Sequence, residues 1–88
     1  MKIYADELAN VLGYNKYTVL QYFENYQLVK YIKGQLIDLN LQCQKDFMEY
    51  LHRRRNSFKN RMAIHRFKIW CNANRYKLDP MTEDLYNR

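Results

Sequence analysis

Apolar residues recur first at helical spacing, then in two short runs, then at helical spacing again, and that order sets the expected elements. Leu8, Val11 and Leu12 give one apolar face to a helix from about Asp6 to Leu12. Gly13 ends it, because glycine enters the left-handed conformation of a helix C-terminus without a Cβ clash. Asn15 is the expected N-cap of a second helix, from Lys16 to about Asn25. "LVKYI" and "QLIDL" are β-prone runs, and Lys33-Gly34 between them predicts a two-residue hairpin turn. From Asn40 the helical period returns. Leu41, Cys43, Phe47, Met48, Tyr50 and Leu51 share one half of a helical wheel, with Gln42, Lys45, Glu49, His52 and Arg53 on the other. Asn56-Ser57 breaks that helix after Arg55 and supplies a cap for the next.

The segment Phe58–Ala73 carries two apolar stripes instead of one. Phe58, Met62, Ile69 and Ala73 form the first; Ala63, Ile64, Phe67, Trp70 and Cys71 form the second, nearly opposite. Lys59 with Arg66 and Arg61 with Lys68 make basic ridges between them. One small body does not easily cover both sides of a helix. One stripe is therefore expected to pack on the rest of the chain, and the surface of Ile64, Phe67 and Trp70 to meet a second copy or another protein. The alternative is a helix sandwiched within one subunit. Asp79-Pro80 then predicts a cap and first-turn proline opening a short acidic segment, "MTEDLYNR".

Three regions follow: residues 1–40, a basic helical extension over 41–78, and a short acidic tail over 79–88. Gly, Pro and Ser are scarce, so no linker or low-complexity segment interrupts the 88 residues. The apolar content of 48% is that of a folded chain. No run is long enough to cross a bilayer and no apolar leader opens the chain, so the expectation is a soluble protein of the cytoplasm, nucleoid-associated or in a host cell. Cys43 and Cys71 read as two buried, reduced thiols. Most of the nine Tyr and four Phe fall at helical core spacing, which favours packing over a stacking surface for single strands.

Charge changes the picture. Residues 1–40 hold four basic and four acidic side chains, residues 41–77 ten basic and two acidic, and residues 78–88 one basic and three acidic. A positive block of that kind favours a polyanionic partner. No catalytic set is legible: no glycine-rich phosphate loop, no Ser/His/Asp arrangement, no paired carboxylates at a pocket. His52 and His65 lack further ligands at metal spacing, and His65 reads as a residue at the core's edge. No enzyme, metal or cofactor is expected.

Ala9, Gly13 and Val19 stand at the intervals that let two short helices cross closely, with Leu8, Leu12, Tyr14 and Tyr22 in supporting positions. With them in place, "YADELANVLGYNKYTVLQYFENYQLVKYIKGQLIDLN" resembles the excisionase and MerR-type winged helix-turn-helix domains over about residues 3–47. Two departures are a Tyr, Tyr4, where those families place a Ser or Thr cap, and a wing with only Lys30 and Lys33. The resemblance implies a mostly α fold, a winged helix-turn-helix with a short hairpin wing and a long C-terminal helical extension. It further implies that Lys16, Tyr17 and Gln21, with Asn15 at the helix start, face the major groove of double-stranded DNA. Lys33 would touch phosphate at the wing. Arg53, Arg54 and Arg55 have two readings of their own: a grip on flanking phosphates, or a solvated face at a helix end where the dipole favours cations. The expected function is sequence-specific DNA binding by a transcriptional regulator or excisionase-like accessory factor of a phage or mobile element, homodimeric through the C-terminal helix. The alternative is a protein-binding module on the same fold that blocks a partner protein.

Overall fold

In the computed structural model, which describes residues 1–74, the chain is mostly helical, with four helices and a small three-stranded antiparallel sheet. Strand β1 (Lys2–Tyr4) leads directly into α1 (Ala5–Leu12); α2 spans Lys16–Phe23. Strands β2 (Ile32–Lys33) and β3 (Leu36–Asp38) form the hairpin, and α3 (Leu41–Arg53) and α4 (Phe58–Ala73) complete the fold. The expected acidic segment after Asp79-Pro80 lies outside the described residues.

β1 is an element the pattern did not predict. It pairs with β3, which is the central strand, so that Ile3 and Ile37 oppose each other on the buried face. This pairing also starts α1. Tyr4 makes no side-chain cap, but the Ala5 N–H donates to the Gln35 carbonyl at 2.8 Å, and Asp6 and Glu7 put carboxylates at the positive end of the helix.

The hairpin differs from expectation in its turn and in its first arm. Lys33 pairs with Leu36, so the two turn residues are Gly34 and Gln35. Gly34 has φ 66° and no other residue near the turn has positive φ, the pattern of a type II′ turn. Val29–Tyr31 winds into a 3-10 turn instead of a strand. Its spacing explains this: Leu28 and Tyr31, three apart, are both buried, whereas Val29 between them is half exposed.

The core is a spine of three fully buried rings from three helices. Phe23 of α2 lies 5.0 Å from Phe47 of α3, which meets Phe67 of α4 edge-on at 5.3 Å. Phe67 therefore cannot serve the dimer surface expected of it. Ile64 is also buried, and Trp70 is half-buried against the same core. The two stripes of α4 are thus assigned the other way: the Phe67 stripe packs inward and the Phe58 stripe faces solvent. His65 follows the outer stripe and is exposed, not at the core's edge. α3 buries the predicted face except Leu41, which is half-buried, and adds Gln44 to it; the Gln44 amide donates to the Leu39 carbonyl at 3.1 Å. Asn40 caps α3 through the Cys43 N–H, but the Ser57 side chain makes no cap at α4.

Gly13 is required for two reasons. Its φ of 80° lies in the left-handed region, and an added Cβ would fall 2.1 Å from a guanidinium nitrogen of Arg66. That guanidinium reaches from α4 to the Leu12 carbonyl, 3.3 Å away, at the negative end of α1. Gly13→Ala is expected to lower the unfolding free energy by about 1–3 kcal/mol, measured by urea titration. Adding Arg66→Ala should recover only the part due to contact, because the backbone penalty remains.

Candidate nucleic-acid interface

α2 buries Val19 and Phe23 and leans Leu20 and Tyr22 on the core. What remains outward follows from the helical period: Tyr17, Gln21 and Glu24 form one exposed line. Tyr17 is 74% exposed, so it contributes nothing to packing. Lys16 is half-buried, its Nζ 5.4 Å from the Tyr17 ring centroid. Asn15 is committed to the helix start: its Oδ1 accepts from the Thr18 N–H at 2.9 Å and from the Thr18 hydroxyl at 3.1 Å. That leaves its amide nitrogen as the group available for contact.

Beside this line runs a ladder of tyrosines. Tyr14 meets Tyr22 edge-on at 5.6 Å, and Tyr22 lies 5.1 Å from Tyr50 of α3. Cations sit against both ends. The Lys59 ammonium is 5.4 Å from the Tyr14 ring, and the Arg54 guanidinium is 5.4 Å from Tyr22 and 4.7 Å from Tyr50. Asn60, buried in α4, joins the assembly. Its Oδ1 accepts from the Tyr14 hydroxyl and, at 3.5 Å, the Tyr22 hydroxyl, while its Nδ2 donates to the Arg54 carbonyl at 3.0 Å. One side chain thereby ties the turn between α3 and α4 to the flank of α2.

The arginine triplet is divided among three environments. Arg53 pairs with Glu49 at 2.7 Å on the solvent side of α3, an exposed contact worth about 0.3–0.5 kcal/mol. Arg54 is stacked as described. Arg55 closes the end of α3 by donating to the His52 carbonyl at 2.9 Å, and Arg61 reaches back to the Arg55 carbonyl at 3.0 Å. All three arginines are exposed, yet each has a structural partner.

Surface hollows connect these residues. Gln21 and Arg54 line one, together with Tyr22, Glu24, Asn25 and Tyr50. Arg53 and Arg54 line the next with Tyr26; Arg53 and Lys30 line a third with Asp46 and Glu49. Lys30 also borders a hollow on the sheet with Lys33, Lys2 and Asp38. Of the predicted residues, Gln21, Lys33, Arg53 and Arg54 thus lie along one linked series, while Asn15, Lys16, Tyr17 and Arg55 lie outside it. Lys2, Glu24, Lys59 and Asn60 were missed. Lys59 carried a signal as part of a basic ridge; Lys2 and Asn60 depend on β1 pairing and on helix packing, which no local pattern reports. Among the described residues no cluster of His, Cys, Asp and Glu is placed to hold a metal ion.

Burial raises several protonation constants at this junction. Desolvation pushes the Tyr14 hydroxyl well above its usual range, with Tyr22 adding to the effect. Burial also raises Tyr50, and raises Tyr31, whose hydroxyl donates to Asp46. The buried Cys43 thiol is likewise pushed up, by burial first and then by Asp38 and Asp46. Cys43 and Cys71 are both fully buried.

Comparison with protein-family models, with curated proteins and with solved structures gives no match.

Asn60→Ala strands the buried Tyr14 hydroxyl and should cost roughly 2–3 kcal/mol by urea unfolding. Tyr14→Phe in the same chain should recover about 1 kcal/mol, because it removes the orphaned hydroxyl. A second outcome concerns pH. An acid raised in the folded state keeps its proton after the unfolded chain has lost it, so its stabilisation is complete below the unfolded value and declines above it. Stability should therefore hold through neutral pH and fall as pH passes the ordinary thiol value of 9.0 and then the tyrosine value of 10.0. Urea midpoints measured across alkaline pH test this.

Proposed function

We propose that the protein binds double-stranded DNA through α2, as a winged helix-turn-helix in which the β2–β3 hairpin is the wing. On this reading Tyr17 and Gln21 meet base edges, Lys16 and the Asn15 amide meet the backbone at the helix start, and Arg54 and Lys59 grip adjacent phosphates. Glu24 closes the reading line with an acceptor suited to the amino group of cytosine. The observation that supports it is the ladder beside α2. Two cations are fixed against tyrosine faces along the flank of a helix whose outer residues have no packing role. Held cations lose less side-chain freedom on meeting phosphate than free ones do. The role would be that of a regulator or recombination-accessory factor and not of a nuclease or recombinase, since none of these groups forms a catalytic set.

The contact would be modest in charge. The linked hollows carry Glu24, Asp38, Asp46 and Glu49 as well as their lysines and arginines. Phosphate contact therefore concentrates at Lys16, Arg54, Arg55 and Lys59, about four groups, which implies a log–log salt slope of about −3 to −4. Titrating labelled random duplex at several salt concentrations measures it. Arg54→Ala and Lys59→Ala should each flatten the slope by about one and weaken all sequences alike. Gln21→Ala should instead reduce the preference for a selected site over random duplex. Undetectable binding at low salt, or a slope near zero, would remove the reading.

A further inference from the structure

The outer face of α4 has a regularity that the DNA reading does not use. Phe58, Met62, His65, Ile69 and Asn72 follow a 4-3-4-3 spacing, the seam of a heptad pattern, and they lie opposite the buried Ala63, Ile64, Phe67 and Cys71. Phe58 is 69% exposed and Ile69 56% exposed. The flanking positions from Phe58 to Ile69 are all basic: Lys59, Arg61, Arg66 and Lys68. α4 contains no Asp or Glu at all. Lys59 and Arg66 stand on the side turned toward Tyr14 and Leu12, and Arg61 and Lys68 on the outer side.

We propose that this seam docks a helix of another protein, one whose apolar seam is flanked by Asp or Glu. In paired helices the flanking positions meet across the seam, and their charges choose the partner and its orientation. A second copy of α4 would set basic groups against basic groups whether the helices ran parallel or antiparallel. The pattern therefore selects against self-pairing through this face and for an acidic partner. Duplex DNA would meet Phe58, Met62 and Ile69 with no group to satisfy them. α4 is already anchored by its inner face, so the usual cost of ordering a short helix has been met by the fold. A seam of about two heptads is small, which places the complex among transient ones of micromolar strength. The inference stands on α4 and shares only Lys59 with the reading of α2; its tests use Arg61, Lys68 and Ile69, which that reading does not.

The probe is a synthetic peptide of about three heptads with Leu and Ile in the seam and Glu at the flanks, labelled for fluorescence anisotropy; a matched peptide with Lys at the flanks is the control. The full chain should bind the Glu peptide and not the Lys peptide, and binding should weaken with added salt. Ile69→Ser should weaken it about tenfold. The pair Arg61→Glu with Lys68→Glu, on the outer side of α4, where Arg61 is exposed and Lys68 half-buried, should invert the preference and bind the Lys peptide. Far-UV circular dichroism establishes that each variant is folded. The proposal is overturned if the Glu peptide does not bind, if the charge exchange leaves the preference unchanged, or if Ile69→Ser leaves the affinity unchanged, which would mark a face open to any polyanion. It is also overturned if sedimentation shows a dimer that Ile69→Ser dissolves, or if the Glu peptide binds only after residues 75–88 are removed.

Discussion

The arrangement depends on one buried amide. Asn60 accepts from the hydroxyls of Tyr14 and Tyr22 and donates to the carbonyl of Arg54. Those partners belong to the turn before α2, to α2 itself and to the turn that begins α4. An apolar residue there could fill the space but could not choose an orientation. The amide has one accepting and one donating end, and both must be satisfied at once in an interior where an orphaned polar group is costly. This fixes how the second pair of helices sits on the first. Arg66 repeats the principle at the other side of the interface, reaching the Leu12 carbonyl through the space left by Gly13.

Two consequences follow for the surface. Where α4 meets the helix pair, cations are drawn onto tyrosine rings and backbone carbonyls, so Arg54, Lys59 and Arg55 are held in place instead of ranging freely. On the opposite side of α4 the cations flank an exposed apolar seam and meet no carboxylate of their own helix. The basic block of the sequence is therefore not one patch. It divides into a part built into the flank of α2 and a part that faces outward. The proposed DNA contact uses the first and the proposed protein contact mainly the second, with Lys59 bordering both.

The near balance of charge along the hollows beside α2 shapes how such a contact would work. Asp46 is held by Tyr31 and Gln42, and Glu49 by Arg53, so these carboxylates organise their neighbours more than they repel a polyanion. Affinity would then come from a few placed cations and discrimination from the line of Tyr17, Gln21 and Glu24. Non-specific attraction, which grows with every free lysine, would be kept low.

Local pattern was enough to read the helices, because their apolar period, the glycine stop at Gly13 and the cap at Asn15 act over only a few residues. It was also enough to read the existence of a hairpin, since Gly34 has the positive φ that a tight turn demands. The tertiary structure decided what pattern leaves open. A helix with two apolar stripes does not declare which one is buried; that choice fell to Phe67, whose ring completes the spine with Phe47 and Phe23. A three-residue stretch such as Lys2–Tyr4 is too short to announce a strand and becomes one only because β3 has a free edge beside it. The two tyrosine partners of Asn60 lie 38 and 46 residues away along the chain. Periodicity reports what a residue does to its own helix. It carries no information about which distant groups will meet, and at this protein's surface those meetings decide which charges are held and which remain free.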